Sequence, residues 1–217
     1  MSPPRSFFKP GDHVCSLYAT PQEHLAAAVE FLASGLQRRE RCVYVCGEYT
    51  LDEFRALLGS SGIDVAAEEA RGALILGLAR DAFVKGGRFD PKGLIDRGEL
   101  AVSRAIEDGF TGLCAGSDMN FVTEGAAGTD RILQYEALCS DYLHGSPASA
   151  LCQYDRRRVP AAILEDCLAT HPLVRVDGPR LLTNPFYGLR ELTEPHPHTI
   201  ERKLGRIREV NAVRRAD

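Results

Sequence analysis

His13 and Cys15, in the stretch Gly11–Tyr18 (GDHVCSLY), place an imidazole and a thiol two residues apart. After the Gly11-Asp12 turn, His13–Tyr18 reads as a β-strand, on which alternate side chains share a face, so His13, Cys15 and Leu17 line one side. Such a pair admits three roles. Zinc or another late transition metal accepts both ligands, with cysteines or carboxylates of neighbouring strands completing the shell. Cys42, Cys46, Cys114 and Cys152 fall in strand-like runs and are the thiols that topology can bring near. Covalent catalysis by Cys15 with His13 as base is weaker, because parallel side chains need a third group to orient the base. The plain alternative is packing: a buried histidine bonded to a carbonyl or to Asp12, beside an inert thiol.

A second set of candidates follows from the ends of the strands. Open parallel sheets bind ligands outside the carboxyl ends of their strands. Those ends carry Tyr18, Glu48, Asp118, Asn120, Gln153, Tyr154, Asp155 and Arg156, and with His13 and Cys15 they make up the candidate ligand-binding set. Taken singly, each also suits a helix cap or a loop hydrogen bond. Nucleotide chemistry lacks its parts. The first strand is followed by Ala19-Thr20-Pro21-Gln22, with no glycine-rich loop or lysine to wrap phosphates, and no GxGxxG, GxSxG or HExxH occurs. Neither ATP hydrolysis nor any other catalysis is expected.

The elements that position these residues alternate. Thr20 caps a helix with Pro21 at its first position and Glu23 at capping-box spacing, running to about Arg39. Strands are expected at 42–47, 73–79, 112–118, 148–154 and 173–176. Helices are expected at 51–60, 91–108, from a cap at Thr129 or Asp130, and at 160–169. The polar, glycine-containing stretches 81–90 and 120–128 read as loops, where closure on a ligand is expected. Connections too long for hairpins give an α/β fold with a mostly parallel sheet covered by helices on both faces. Residues 1–10 read as an extended lead-in, 11–182 as the core domain, and 183–217 as a linker with a C-terminal helix. That basic, amphipathic helix, 199–215, carries Ile200, Leu204, Ile207 and Val210 on one side. It either packs on its own domain, acts as a connector, or forms a homodimer in the coiled-coil manner.

Composition bounds the function classes. The 217 residues are 44% hydrophobic and 26% charged, with a net charge of −4, ordinary for a globular protein and without the basic field of a nucleic-acid or membrane binder. The run Arg156–Arg158 and the basic helix read as solvated charge. MSPPRSFFKPG lacks an apolar signal core and no run reaches the length of a membrane span. A cytoplasmic location is expected, with the seven cysteines, none in a CxxC pair, reduced.

Several separated runs occur in one order: GDHVC, Glu48, GRFDP at Gly87–Pro91, Tyr135-Glu136, CQYDRR at Cys152–Arg157, THPLV at Thr170–Val174 and NPFY at Asn184–Tyr187. On these the chain, from about Phe8 to Asp177, resembles the MEDS family of sensory domains from methanogen and methylotroph regulators. The resemblance implies a RecA-like three-layer α/β domain that lacks a P-loop and senses small hydrocarbon derivatives. It also implies output through a partner: a histidine kinase, an anti-sigma protein or a transcription regulator. His13 and Cys15 carry over as candidates for ligand or metal contact. Asp118-Met119-Asn120-Phe121 departs from the family's Glu-Met followed by Ser-Trp, which implies a differently shaped pocket. The resulting expectation is a non-catalytic small-molecule input domain of a prokaryotic signal-transduction or transcription-regulation system. The alternatives are a metal- or redox-responsive regulator using His13 and Cys15, or a ligand-free protein-interaction scaffold.

Overall fold

The computed structural model describes residues 7–188 and 197–213. Most of the expected lead-in, part of the linker and the last residues of the C-terminal helix lie outside the described residues. Elements alternate as anticipated: β1 (His13–Tyr18), α1 (Pro21–Gln37), β2 (Arg41–Cys46), α2 (Leu51–Ser60), α3 (Val65–Ala70), β3 (Leu74–Leu78), α4 (Ala79–Phe83), β4 (Val84–Lys85), β5 (Arg88–Phe89), α5 (Pro91–Glu107), β6 (Leu113–Asp118), α6 (Ile132–Leu143), β7 (Ala148–Asp155), α7 (Ala161–Thr170), β8 (Leu173–Arg175), β9 (Leu181–Thr183) and α8 (Pro197–Val213). The main sheet has the order β3-β2-β6-β7-β1-β8-β9, parallel except for β9. Its helices cover both faces, which is the α/β architecture expected. Among the described residues no helix is long and apolar enough to cross a membrane.

Local chemistry sets the boundaries. Thr20 and Thr50 each close a full capping box, with Glu23 and Glu53 returning the bond, which fixes where α1 and α2 start behind the strands. β1 and β7 lie inside the sheet and are buried at every position. Their register sets His13 opposite Ala150, Cys15 opposite Cys152 and Leu17 opposite Tyr154. Because alternate residues face opposite ways, these six share the face covered by α6 and α7, whereas Val14, Leu151 and Tyr44 pack under α1 and α2.

Three expectations change. Residues 81–90 are not an open loop but the end of α4 and a two-stranded hairpin, held down by buried Phe89, whose N–H donates to Ala127 O at 2.8 Å. Residues 120–128 begin with a 3-10 turn, Asn120–Thr123. α6 has no side-chain cap from Thr129 or Asp130; those residues form a preceding 3-10 turn. The C-terminal helix packs on its own domain. Ile200, Leu204 and Ile207 are at most 3% exposed in the core beside Leu164 and Leu168. Asn211 acts as a substitute strand neighbour, accepting from Thr183 N and donating to Thr183 O, both at 3.0 Å. Three of the four apolar residues expected on that face are therefore buried within the domain, and Val210 is half-buried.

Candidate functional site

The ten residues expected to bind ligand separate onto two faces of the sheet. Six of them form one network at the carboxyl ends of the strands. Asp118, closing β6, accepts from His24 Nε2, from the Tyr44 hydroxyl at 2.8 Å, and from the N–H groups of Gly47 and Glu48 at 2.6 and 3.1 Å. Tyr44 reaches it because Gly116 has no side chain: a Cβ there would lie 2.5 Å from the tyrosine ring. Gln153 donates to the Tyr44 hydroxyl at 2.6 Å. Asn120 donates to Tyr18 Oη at 2.6 Å and to Glu48 Oε1 at 2.7 Å, and accepts from Asp155 N at 2.9 Å. Arg158 grips both Glu48 oxygens at 2.9 Å, and Arg157 pairs with Asp155. Burial pushes the Asp118 carboxyl upward, but the bonds from His24, Gly47 and Tyr44 outweigh it and hold the group below the usual carboxylate range. Arg156 lies apart from this network, on Asp177 at 3.0 Å.

On the opposite face lies a second centre. His13 from β1, Glu136 from α6, Cys152 from β7 and His171 just past α7 converge, all buried, with ligand-type atoms within 4.8 Å of one another. His13 Nε2 lies 3.2 Å from Glu136 Oε2 and 3.6 Å from Cys152 Sγ, and His171 Nε2 lies 3.5 Å from the same Glu136 oxygen. The two imidazole rings lie 3.8 Å apart between centroids, tilted by 35°. Each group is oriented from behind. The Ser140 hydroxyl donates its one hydrogen to Thr170 O, so it accepts from His13 Nδ1 at 2.7 Å. His171 Nδ1 donates to Cys167 O at 2.8 Å. Tyr154 donates to Glu136 Oε1. Asn184, of the NPFY run, fixes the chain around His171 by donating to Leu168 O and His171 O at 2.6 and 2.7 Å. Burial lowers both imidazoles to about 3, so they are neutral, and raises Glu136 and the Cys152 thiol.

Of the expected pair, His13 belongs to this centre and Cys15 does not. Cys15 points onto the same face two residues further along β1, where its thiol meets Cys167. Glu136 and His171 carried no assigned role in the sequence, although a signal existed: Glu136 shares the buried stripe of α6 with Ile132, Cys139 and Leu143. An acid on an otherwise apolar stripe calls for a buried partner.

Beside Cys152 the same face opens into a pocket of about 170 Å³ between the sheet and helices α5 and α6. Small sheet residues, Ala115, Ser117, Ala148 and Ala150, together with Gly98 of α5, leave this room; Phe83, Tyr135 and Tyr142 wall it. A more polar hollow of about 300 Å³ lies by Tyr18, α1 and the 175–179 loop, where Arg175 is already paired with Glu30 at 2.6 Å.

A comparison with curated proteins finds no match. Residues 12–172 match the family described as MEDS, the MEthanogen/methylotroph, DcmR sensory domain, and this span includes both polar centres entire. The chain belongs to the MEDS family of sensory domains.

Proposed function

We propose that this chain is a non-catalytic input domain of a prokaryotic signalling or transcription-regulation system, and that its ligand is a small, largely apolar molecule held between the sheet and α5 and α6. The observation that carries this reading is the pocket of about 170 Å³, whose walls are mostly aliphatic and aromatic and whose lining includes Cys152 of the buried polar centre. A dry cavity of about 150 Å³ is known to accept a molecule the size of benzene, so the volume suits a ligand of a few carbon or halogen atoms. The strand-end network supports the same choice by elimination, because its polar groups are largely bonded to one another. A ligand signals by binding one conformation more tightly than another, and the hairpin β4–β5, which follows directly on Ala82 and Phe83 of the pocket lining, is the segment placed to respond. The receiver is a protein partner.

Hydrogen exchange with a panel of one- to six-carbon hydrocarbons and haloalkanes tests this. At least one compound protects residues 82–98 and 135–143, and Ala150→Leu, which fills the pocket, removes the effect. A response that persists unchanged in Ala150→Leu, or protection confined to the strand ends, refutes the assignment.

A further inference from the structure

We propose that His13 Nε2, His171 Nε2, Glu136 Oε2 and Cys152 Sγ hold one divalent transition-metal ion of the zinc type. The hydrogen-bond inventory motivates the site. With both Nδ1–H groups committed outward, to Ser140 and Cys167, both Nε2 atoms turn lone pairs inward toward a carboxylate oxygen, itself an acceptor. His171 Nε2 is buried and receives no hydrogen bond. The Cys152 S–H lies within reach of His13 Nε2 at 3.6 Å, but His171 Nε2 is left without a donor; a single cation satisfies all four atoms at once.

Distances agree. Tetrahedral coordination with bonds of about 2.0 Å to nitrogen or oxygen and about 2.3 Å to sulfur separates ligand atoms by about 3.3–3.6 Å. Of the six edges, four are 3.2 Å (His13 to Glu136), 3.5 Å (His171 to Glu136), 3.6 Å (His13 to Cys152) and 3.7 Å (Cys152 to Glu136), and the two from His171 to His13 and to Cys152 are within 4.8 Å. The surroundings match as well. Metal-binding histidines donate their second nitrogen to a carbonyl or hydroxyl, and ligating carboxylates are themselves hydrogen-bonded; His171, His13 and Glu136 each have such a partner. The mixture of two imidazoles, a thiolate and a carboxylate suits zinc, cobalt or iron(II) and disfavours calcium or magnesium. Four protein ligands close the shell. On binding, the ion replaces the Cys152 S–H proton and any proton on Glu136, which pass to solvent.

This site is independent of what fills the neighbouring pocket, and either assignment can fail alone. The test is protein produced without a tag in medium where cobalt replaces zinc. It retains about one equivalent of cobalt and shows a thiolate-to-cobalt charge-transfer band with tetrahedral d–d absorption. Cys152→Ser abolishes the charge-transfer band, whereas Cys15→Ser keeps it. Glu136→Gln, close in shape, weakens cobalt affinity by about 100-fold or more, and Ser140→Ala by about 10–100-fold. Folded native protein with less than about a tenth of an equivalent of cobalt, or without the thiolate band, overturns the proposal even if no variant can be purified. So does a band lost in Cys15→Ser and retained in Cys152→Ser.

Discussion

His24 and Asp118 meet under α1, the imidazole Nε2 donating to a carboxylate oxygen that also accepts from Tyr44. The other carboxylate oxygen receives the Gly47 and Glu48 N–H groups, so one aspartate ties α1, β2, β6 and the start of the β2–α2 loop together. Removing it leaves several buried donors without an acceptor. Asp118→Ala is therefore expected to cost about 3–5 kcal/mol, as for other broken buried pairs. Asp118→Asn keeps one acceptor but turns an amide toward N–H groups, at about 1–3 kcal/mol. Urea unfolding measures both; a loss below about 0.5 kcal/mol for Asp118→Ala contradicts the anchoring role.

The same aspartate predicts a pH dependence whose sign is fixed. Its carboxyl titrates below the ordinary value of 3.8 in the folded state. The unfolded chain thus takes up this proton first as pH falls. The stabilisation is complete above 3.8 and is lost as pH drops through the lower, folded value. The gap in stability between the native protein and Asp118→Asn is expected to stay constant from neutral pH down to about 3.8, to narrow between there and the lower, folded value, and to level off below it. Comparing the two proteins cancels the titration of groups remote from Asp118. A gap that widens on acidification contradicts the assignment.

What the sequence disclosed and what it hid follow from the range of the forces involved. Capping boxes and strand alternation act over a few residues, so Thr20, Pro21 and the buried β1 and β7 were legible. The hairpin β4–β5 was not, because its two-residue strands are held by a distant bond from Phe89 N to Ala127 O. β9 is three residues long and is completed by Asn211, from a helix well downstream. His13 was legible as a candidate because it opens a strand. The preference for Cys152 over Cys15 was not, since the two cysteines sit opposite each other in register and on one face. Only the positions of Glu136 and His171, supplied by α6 and the end of α7, distinguish them. At the strand ends six of the eight named residues do meet, but their types did not show how far they bond to one another, nor that Tyr154 and Arg156 lie elsewhere.

Asp177 joins α8 to the end of β7. It accepts from Arg156 at 3.0 Å and from Arg208 of α8, and its own backbone has φ +51°, a conformation aspartate and asparagine tolerate better than most residues. Asp177→Asn keeps that tolerance and removes the charge. Because the pairs are partly exposed, the expected global loss is under about 1 kcal/mol. The local effect is larger: amide exchange in residues 200–211 accelerates while α7 is unchanged. Equal acceleration in both helices shows that the ion pairs do not secure α8 independently.

The cysteines allow a direct test of the redox alternative. All seven thiols are free and buried. Burial raises those of Cys15, Cys46, Cys114, Cys139, Cys152 and Cys167 above their usual value, which removes the thiolate that attacks oxidants and disulfides. Cys42 and Cys114 are further enclosed, since a Cβ added to Gly35 of α1 would lie 2.7 Å from both sulfur atoms. A redox sensor needs the opposite: a low-pKa, accessible thiol near a resolving partner. At about pH 8, an aromatic disulfide reagent is therefore expected to label none of the seven in the folded protein and all of them in denaturant. Labelling governed by global unfolding follows the denaturant dependence of stability. One thiol reacting rapidly under native conditions identifies a local opening and revives redox sensing at that residue. If none does, these thiols are not the sensor of an oxidant.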